Sequence, residues 1–298
     1  MKKAILFLET MSPLHAGSET SLGLVDKPIQ REKVTEFPVI YSSSLKGAIR
    51  EFIEENMLND DKEKETFYEL FGPEGDGEDN FASAISFTDA KILLFPVASV
   101  KDVYVYITCP FVLKRFMNDC KISDINKFDE INIENLKVNK SEVITHSNAN
   151  EIKINQNNNS SIILTEFQFN VKNEKNDKLI EKIKEFTGVS ENKICIISDD
   201  NFKYFVKYHT EIMARVKIGQ DGTTDTKKGG NLWYEENIPI YTVFYSIINV
   251  FRSRNISEKR KKDEELIKFF EEKFNNLNTF IIGGNKTIGK GLIKSKIK

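Results

Sequence analysis

The sequence predicts an α+β fold of the ferredoxin-like (RRM-like) kind, enlarged by insertions. Three observations lead there. Short apolar runs of β character alternate with amphipathic stretches in a split strand–helix–strand order. Hydrophobic residues make up 40% of the 298 positions and include 22 Phe, which supplies one sizeable core. Polar Asn-rich and Gly-rich stretches interrupt the order twice. The chain therefore reads as a single domain, 1–298, with insertions at about 121–160 and about 214–240.

The elements follow from local pattern. Residues 3–10 are apolar enough for a buried first strand. The loop over 11–42 is long for a compact domain, a length that points to function. A helix starts near Ser44 and runs to about Met57, with Leu45, Ala48, Ile49, Phe52 and Ile53 at helical spacing. A second helix over 62–71 stops at Gly72-Pro73. Strands are expected at 84–95 and 102–108, and a short helix after Pro110. The run NQNNNSS marks the first insertion as a surface segment. IILTEFQF reads as one strand, NDKLIEKIKEFTG as a helix with a Gly stop, and ICIIS as a buried strand. DNFKYFVKY reads as a helix with Asp200 as its cap. ARVKI and IPIYTVFYSII flank a polar, Gly-rich segment, so an extended hairpin or protrusion is expected there. A charged helix over 258–276 places Leu266, Phe269, Phe270 and Phe274 on one face. A strand, a Gly-rich loop and a last strand close the chain.

Composition narrows the function classes. The net charge of −2 disfavours a broadly basic nucleic-acid binder, although Lys286–Lys298 holds five Lys and no acid. Cys109, Cys120 and Cys195 form no CxxC pair and read as reduced thiols. The start MKKAILFLET imitates a signal peptide, but Glu9 cuts the apolar run and no small-residue cleavage site follows. No stretch approaches the ~20 apolar residues of a membrane span. A cytoplasmic protein with no membrane partner is expected.

The stretch from His15 to Arg50 carries the most specific signals. Ser42, Ser43 and Ser44 offer cap hydroxyls and free backbone N–H groups at a helix start. Lys46 and Arg50 share one helical face, an assembly that suits a phosphate. HAG at His15–Gly17, GLVDKPIQRE at 23–32, SSLKGAIR at Ser43–Arg50, GGNLWYEENIP at 229–239 and IIGGNKTIGKG at Ile281–Gly291 occur in family order. Together they resemble the RAMP superfamily of CRISPR effector complexes. Within it they are most similar to the backbone subunit of type III-B, or Cmr, complexes. No match extends over roughly 95–205.

That resemblance implies a ferredoxin-like RAMP core and a protruding thumb hairpin at the second insertion. It also implies an endoribonuclease acting within an assembled complex. Copies of the chain would line a CRISPR guide RNA, beside other Cmr subunits, and cut paired target RNA at regular intervals. Asp26 matches the acidic residue of the family's cutting motif; by residue type alone a lone loop Asp is a turn or cap residue. A carboxylate there can take the proton of a 2′-hydroxyl or help hold Mg2+ or another divalent cation shared with RNA phosphate. The resemblance places His15 near the cut site, and Tyr234 and Glu236 beside the scissile phosphate. Glu235 competes, because alternation puts it on the opposite face. Trp233 and its neighbours also fit a plain aromatic strand. Ser43, Lys46, Arg50, Gly283, Gly284, Lys286 and Lys290 are the expected RNA-binding residues. GGNKTIGKG is not a P-loop, since Gly291 replaces the needed Ser or Thr. The other readings are a guide-binding filament subunit that does not cut and a guide-maturing nuclease, which would want a His-centred acid–base set.

Overall fold

The computed structural model describes residues 1–18, 25–73, 80–125, 128, 131–156, 159–172, 176–217, 232–255, 260–275 and 279–298. The first half runs β1 (Lys2–Thr10), β2 (Val39–Ile40), α1 (Ser42–Asn56), α2 (Asp61–Phe71), β3 (Ile85–Phe87), β4 (Ala90–Ala98), β5 (Tyr104–Thr108), α3 (Pro110–Ile122) and β6 (Glu142–Thr145). Next come β7 (Ile154–Gln156), β8 (Asn159–Leu164), β9 (Phe167–Val171), α4 (Asp177–Thr187), β10 (Ile194–Ile196) and α5 (Asp199–Tyr208). The chain ends with β11 (Glu211–Val216), β12 (Leu232–Asn237), β13 (Val243–Val250), α6 (Asp263–Asn275), β14 (Thr279–Ile281) and β15 (Leu292–Ile297).

Among the described residues, one large mixed sheet has the order β14-β15-β1-β13-β4-β5-β10-β6-β9-β8-β7, with β2 on β4 and β3 on β13. Both chain ends meet in it: β1 lies antiparallel between β13 and β15. Side chains alternate across a strand, so the sheet has two apolar faces. Phe7 of β1 and its partner Tyr245 share one face, where Phe116 of α3 and Phe186 of α4 pack edge-on or tilted against them. Ala4 and Ile248 point the other way, and Phe87, paired with Ile248, meets Phe270 of α6. Phe71 of α2 joins that second layer. The fold is thus a large mixed sheet with helices on both sides. No helix among the described residues is long and apolar enough to cross a membrane.

Most helix limits agree with local chemistry. Asp60 caps α2 by accepting the Glu63 N–H at 2.8 Å, and Gly72 at φ +89° ends it. Elsewhere the structure departs from the sequence expectation. Helix α5 is capped by Ser198, which accepts from the Asn201 N–H, and not by Asp200. IILTEFQF is two strands, β8 and β9, because Thr165 turns at φ 49° between them. The hairpin partner of β11 is β12, not the apolar run after Ile238, which forms the central strand β13 instead. The stretch read as a surface insertion at 121–160 sends Phe128, Ile133, Leu136, Val143 and Ile144 into the core, and places β6 between β10 and β9.

A candidate active site on one edge of a two-stranded ribbon

Strands β11 and β12 form a separate antiparallel ribbon, and the residues that join them, 218–231, lie outside the described residues. The outer edge of β12 is covered by the N-terminal segment, which crosses it twice. On the way out, Leu14 and Ile238 exchange two backbone hydrogen bonds of 2.9 and 2.8 Å. On the way back, Lys27 N–H donates to Tyr234 O at 3.1 Å and Glu236 N–H donates to Lys27 O at 3.0 Å. The two passes are tied to each other by Ser18 N–H to Pro28 O and Gln30 N–H to Ala16 O.

This wrapping brings two predicted residues to the same edge. The Asp26 carboxylate accepts the Tyr234 N–H at 2.7 Å, and His15 Nδ1 lies 2.7 Å from Glu236 O. A carbonyl only accepts, so Nδ1 carries the proton and Nε2 is turned toward Gly17. The two anchor points are two residues apart on one strand, about 7 Å by strand rise. Asp26 is exposed and Tyr234 is 42% exposed, whereas His15 is half-buried.

The two glutamates of WYEEN point inward and are fully engaged. Glu236, expected beside the scissile phosphate, instead binds Arg31 at 2.6 Å, Thr210 Oγ1 at 2.7 Å and the Ile29 N–H at 3.1 Å. Glu235 binds Lys290 Nζ at 2.7 Å and Asn285 Nδ2 at 2.8 Å. Burial works to raise the Glu235 carboxyl, but Lys290 and Asn285 outweigh it and hold it below the usual carboxylate range. Lys290 also donates to Asn237 Oδ1 at 2.8 Å, so its charge is internal and not offered to a ligand. Sequence reading missed Arg31 and Asn285. The signal was present: each sits in a quoted motif and offers the donors that a buried Glu needs.

The C-terminal Gly-rich loop serves the same edge. Gly284 N–H donates to His15 O at 3.0 Å and Gly291 N–H donates to Pro13 O at 3.0 Å. A Cβ on Gly283, at φ +84°, would stand 2.5 Å from His15 O. These glycines therefore admit the His15 segment itself. Lys286, half-exposed, pairs with Glu51 on α1 at 2.7 Å.

The start of α1 departs from the anion-site expectation. Tyr41 is the cap residue and Ser42–Ser44 lie inside the first turn, with Ser43 exposed. The Ser42 N–H already meets the Asp89 carboxylate at 2.8 Å. Lys46 donates to Ser83 Oγ and Ile85 O at 2.7 and 3.1 Å, and Arg50 donates to Phe71 O at 3.3 Å. Burial, then the neighbouring Arg50 charge, pulls the Lys46 ammonium down from its usual value. Both cations thus brace α1 against the turn after α2.

Among the described residues, no three His, Cys, Asp or Glu side chains gather closely enough to hold a metal ion. Among the described residues, Asp26 fits a divalent cation as one ligand of several.

Comparison with known proteins gives the chain's family and its structural relatives. The RAMP superfamily pattern matches residues 7–294. The chain is 39% identical over 309 aligned positions to the CRISPR system Cmr endoribonuclease Cmr4 of Pyrococcus furiosus, covering all of this chain and 96% of that protein. Its fold is similar to the crystal structure of oligomeric Cmr4 from Pyrococcus furiosus, with a TM-score of 0.73 and 32% identity over 100% of this chain and 98% of that one. It is similar also to a chain of the type III-B Cmr-beta complex bound to cognate target RNA, with a TM-score of 0.77 and 25% identity over 100% and 97% of the two chains.

Proposed function

The chain belongs to the RAMP superfamily, and from that premise we propose that it is the target-cutting subunit of a type III-B CRISPR effector complex. Copies of it line a guide RNA, beside other subunits of the complex, and cleave the paired target strand. The observation that carries this reading is the exposed Asp26 carboxylate, fixed by the Tyr234 N–H on the edge that His15 also occupies. Asp26 accepts the proton of a target 2′-hydroxyl. The freed oxygen attacks the adjacent phosphorus, the P–O5′ bond breaks, and the 5′-oxygen leaves with a proton from water. If a divalent cation such as Mg2+ binds, Asp26 would be the residue that helps hold it, and the ion would offset negative charge at the reacting phosphate. His15 sets the loop against β12, and Glu236 acts from below by holding Arg31 and Ile29.

The β11–β12 ribbon is, in this reading, the base of a thumb, and the sheet around β1 and β13 is the ferredoxin-like core. Ser43 and Lys286, both accessible, are the guide-backbone contacts, while Gly283 and Gly284 shape the loop beneath them. The test is a reconstituted complex in which every copy carries Asp26→Asn. Target cleavage should fall by about 10²–10⁴-fold with the guide retained. Cleavage at the wild-type rate would leave only a guide-binding filament role.

A further inference from the structure

One group of side chains next to Asp26 has no part in the network that holds the edge. Lys27 of the returning N-terminal segment, Trp233 of β12 and Arg215 of β11 lie side by side. Lys27 is bridged in parallel to Glu235, Trp233 lies on β12, and Arg215 is its direct partner on β11. Lys27 Nζ lies 4.9 Å and Arg215 Cζ 6.0 Å from the Trp233 ring centroid. Two cations therefore share one indole, a placement that an aromatic face stabilises but that like-charge repulsion opposes. Neither pairs with a carboxylate among the described residues, since Glu235 and Glu236 are engaged by Lys290 and Arg31. The Trp233 indole N–H is buried and has no hydrogen-bond partner among the described residues. Two cations without a carboxylate partner among the described residues thus meet on one indole, and one of them directly follows Asp26. An anion bound there offsets their mutual repulsion.

We propose that Lys27 and Arg215, docked on Trp233, form a clamp for a single phosphate of the target strand, adjacent to the bond that Asp26 cuts. The proposal rests on the target-cutting function argued above. Lys27 follows Asp26 directly, so a phosphate gripped by its ammonium fixes the sugar–phosphate unit beside the carboxylate. Backbone phosphate contacts carry no base information, so the clamp acts alike on every sequence. It positions the strand, which proximity alone makes worth a large rate factor.

The test uses the reconstituted complex and synthetic targets in which one phosphate at a time near the cut is a neutral methylphosphonate. For the wild type, one position adjacent to the cut should slow single-turnover cleavage by about tenfold, the scale of one lost charged contact. Lys27→Gln with Arg215→Gln should slow the unmodified target by at least as much. That variant should then be indifferent to the methylphosphonate at that position, which a merely structural defect would not produce. Trp233→Ala should copy the double variant, and guide content should be unchanged in all. If the wild type cuts no target, both the function and the clamp fall. If it cuts, and the double variant is equally fast or equally sensitive to the neutral linkage, the clamp alone is wrong. Loss of guide from the double variant would also overturn it, by moving the contact to the other strand.

Discussion

Lys290→Met tests how the C-terminal loop holds the site. Lys290 and Glu235 face each other at 2.7 Å with side chains only 6% and 2% exposed. Removing the lysine leaves a buried carboxylate with Asn285 as its one remaining side-chain donor at 2.8 Å. Breaking a buried pair from one side costs about 3–5 kcal/mol, because the desolvated charge loses its partner. For a chain of this size that corresponds to a fall in Tm of roughly 10 °C. Adding Glu235→Gln removes the stranded charge and should recover most of the loss. The pH dependence has a definite sign. The folded-state Glu235 carboxyl is depressed, so its contribution is complete above its unfolded value of about 4.3 and is lost as pH falls through the folded value. The gap between wild type and Lys290→Met, read by thermal denaturation, should be full at pH 7 and narrow below about pH 4. A single variant melting within about 2 °C of wild type would show that the Lys290–Glu235 pair does not hold the loop, as would a double variant no better than the single.

Three further outcomes follow from specific contacts. In Gly17→Ala the new Cβ would lie 2.7 Å from His15 Nε2, and the ring is tied at Nδ1 and backed by Gly284. Cleavage should slow by about tenfold, and Gly17→Ala added to His15→Ala should cost nothing more. Lys46→Met should destabilise the fold by about 0.5–1.5 kcal/mol, by removing the ammonium's bonds to Ser83 Oγ and Ile85 O, which remain bonded to each other, and leave the salt slope of guide binding unchanged. A shallower slope in a filter-binding titration would return Lys46 to the RNA surface. Bonds from Lys207 and then Lys203 hold the Glu36 carboxyl at about 2. Its stabilising effect is present above its unfolded value and disappears as pH falls toward 2. Lys203→Ala with Lys207→Ala should abolish that acid-side dependence in a pH series of thermal melts.

The sequence makes His15, Asp26 and Tyr234 visible because each belongs to a short motif whose loop or strand setting is local. It cannot tell which side of WYEEN is covered. Alternation separates Glu235 from Glu236, yet both are buried, because Lys290 arrives on one side and Arg31 on the other from distant parts of the chain. The glycines of the C-terminal loop are legible as sites of close approach, but the approaching group is the His15 backbone. Ser42–Ser44 suit a cap by residue type, and Asp89 takes the Ser42 N–H from another strand's end. At 121–160 the abundant Asn and Lys mask apolar positions too irregularly spaced to show a period, though Phe128 and Ile144 are core residues. In each case the missing information is tertiary: a partner more than a hundred residues away, or a neighbouring segment, decides the role of a locally ambiguous side chain.

The most direct measurement is a structure of the assembled complex with guide RNA and a target carrying 2′-deoxy nucleotides at the cut positions, which blocks attack. The Asp26 carboxylate should stand within about 3 Å of the place of the missing 2′-oxygen. Glu235 and Glu236 should remain on Lys290 and Arg31. A scissile phosphate facing Glu235 or Glu236, with Asp26 turned away, would contradict it.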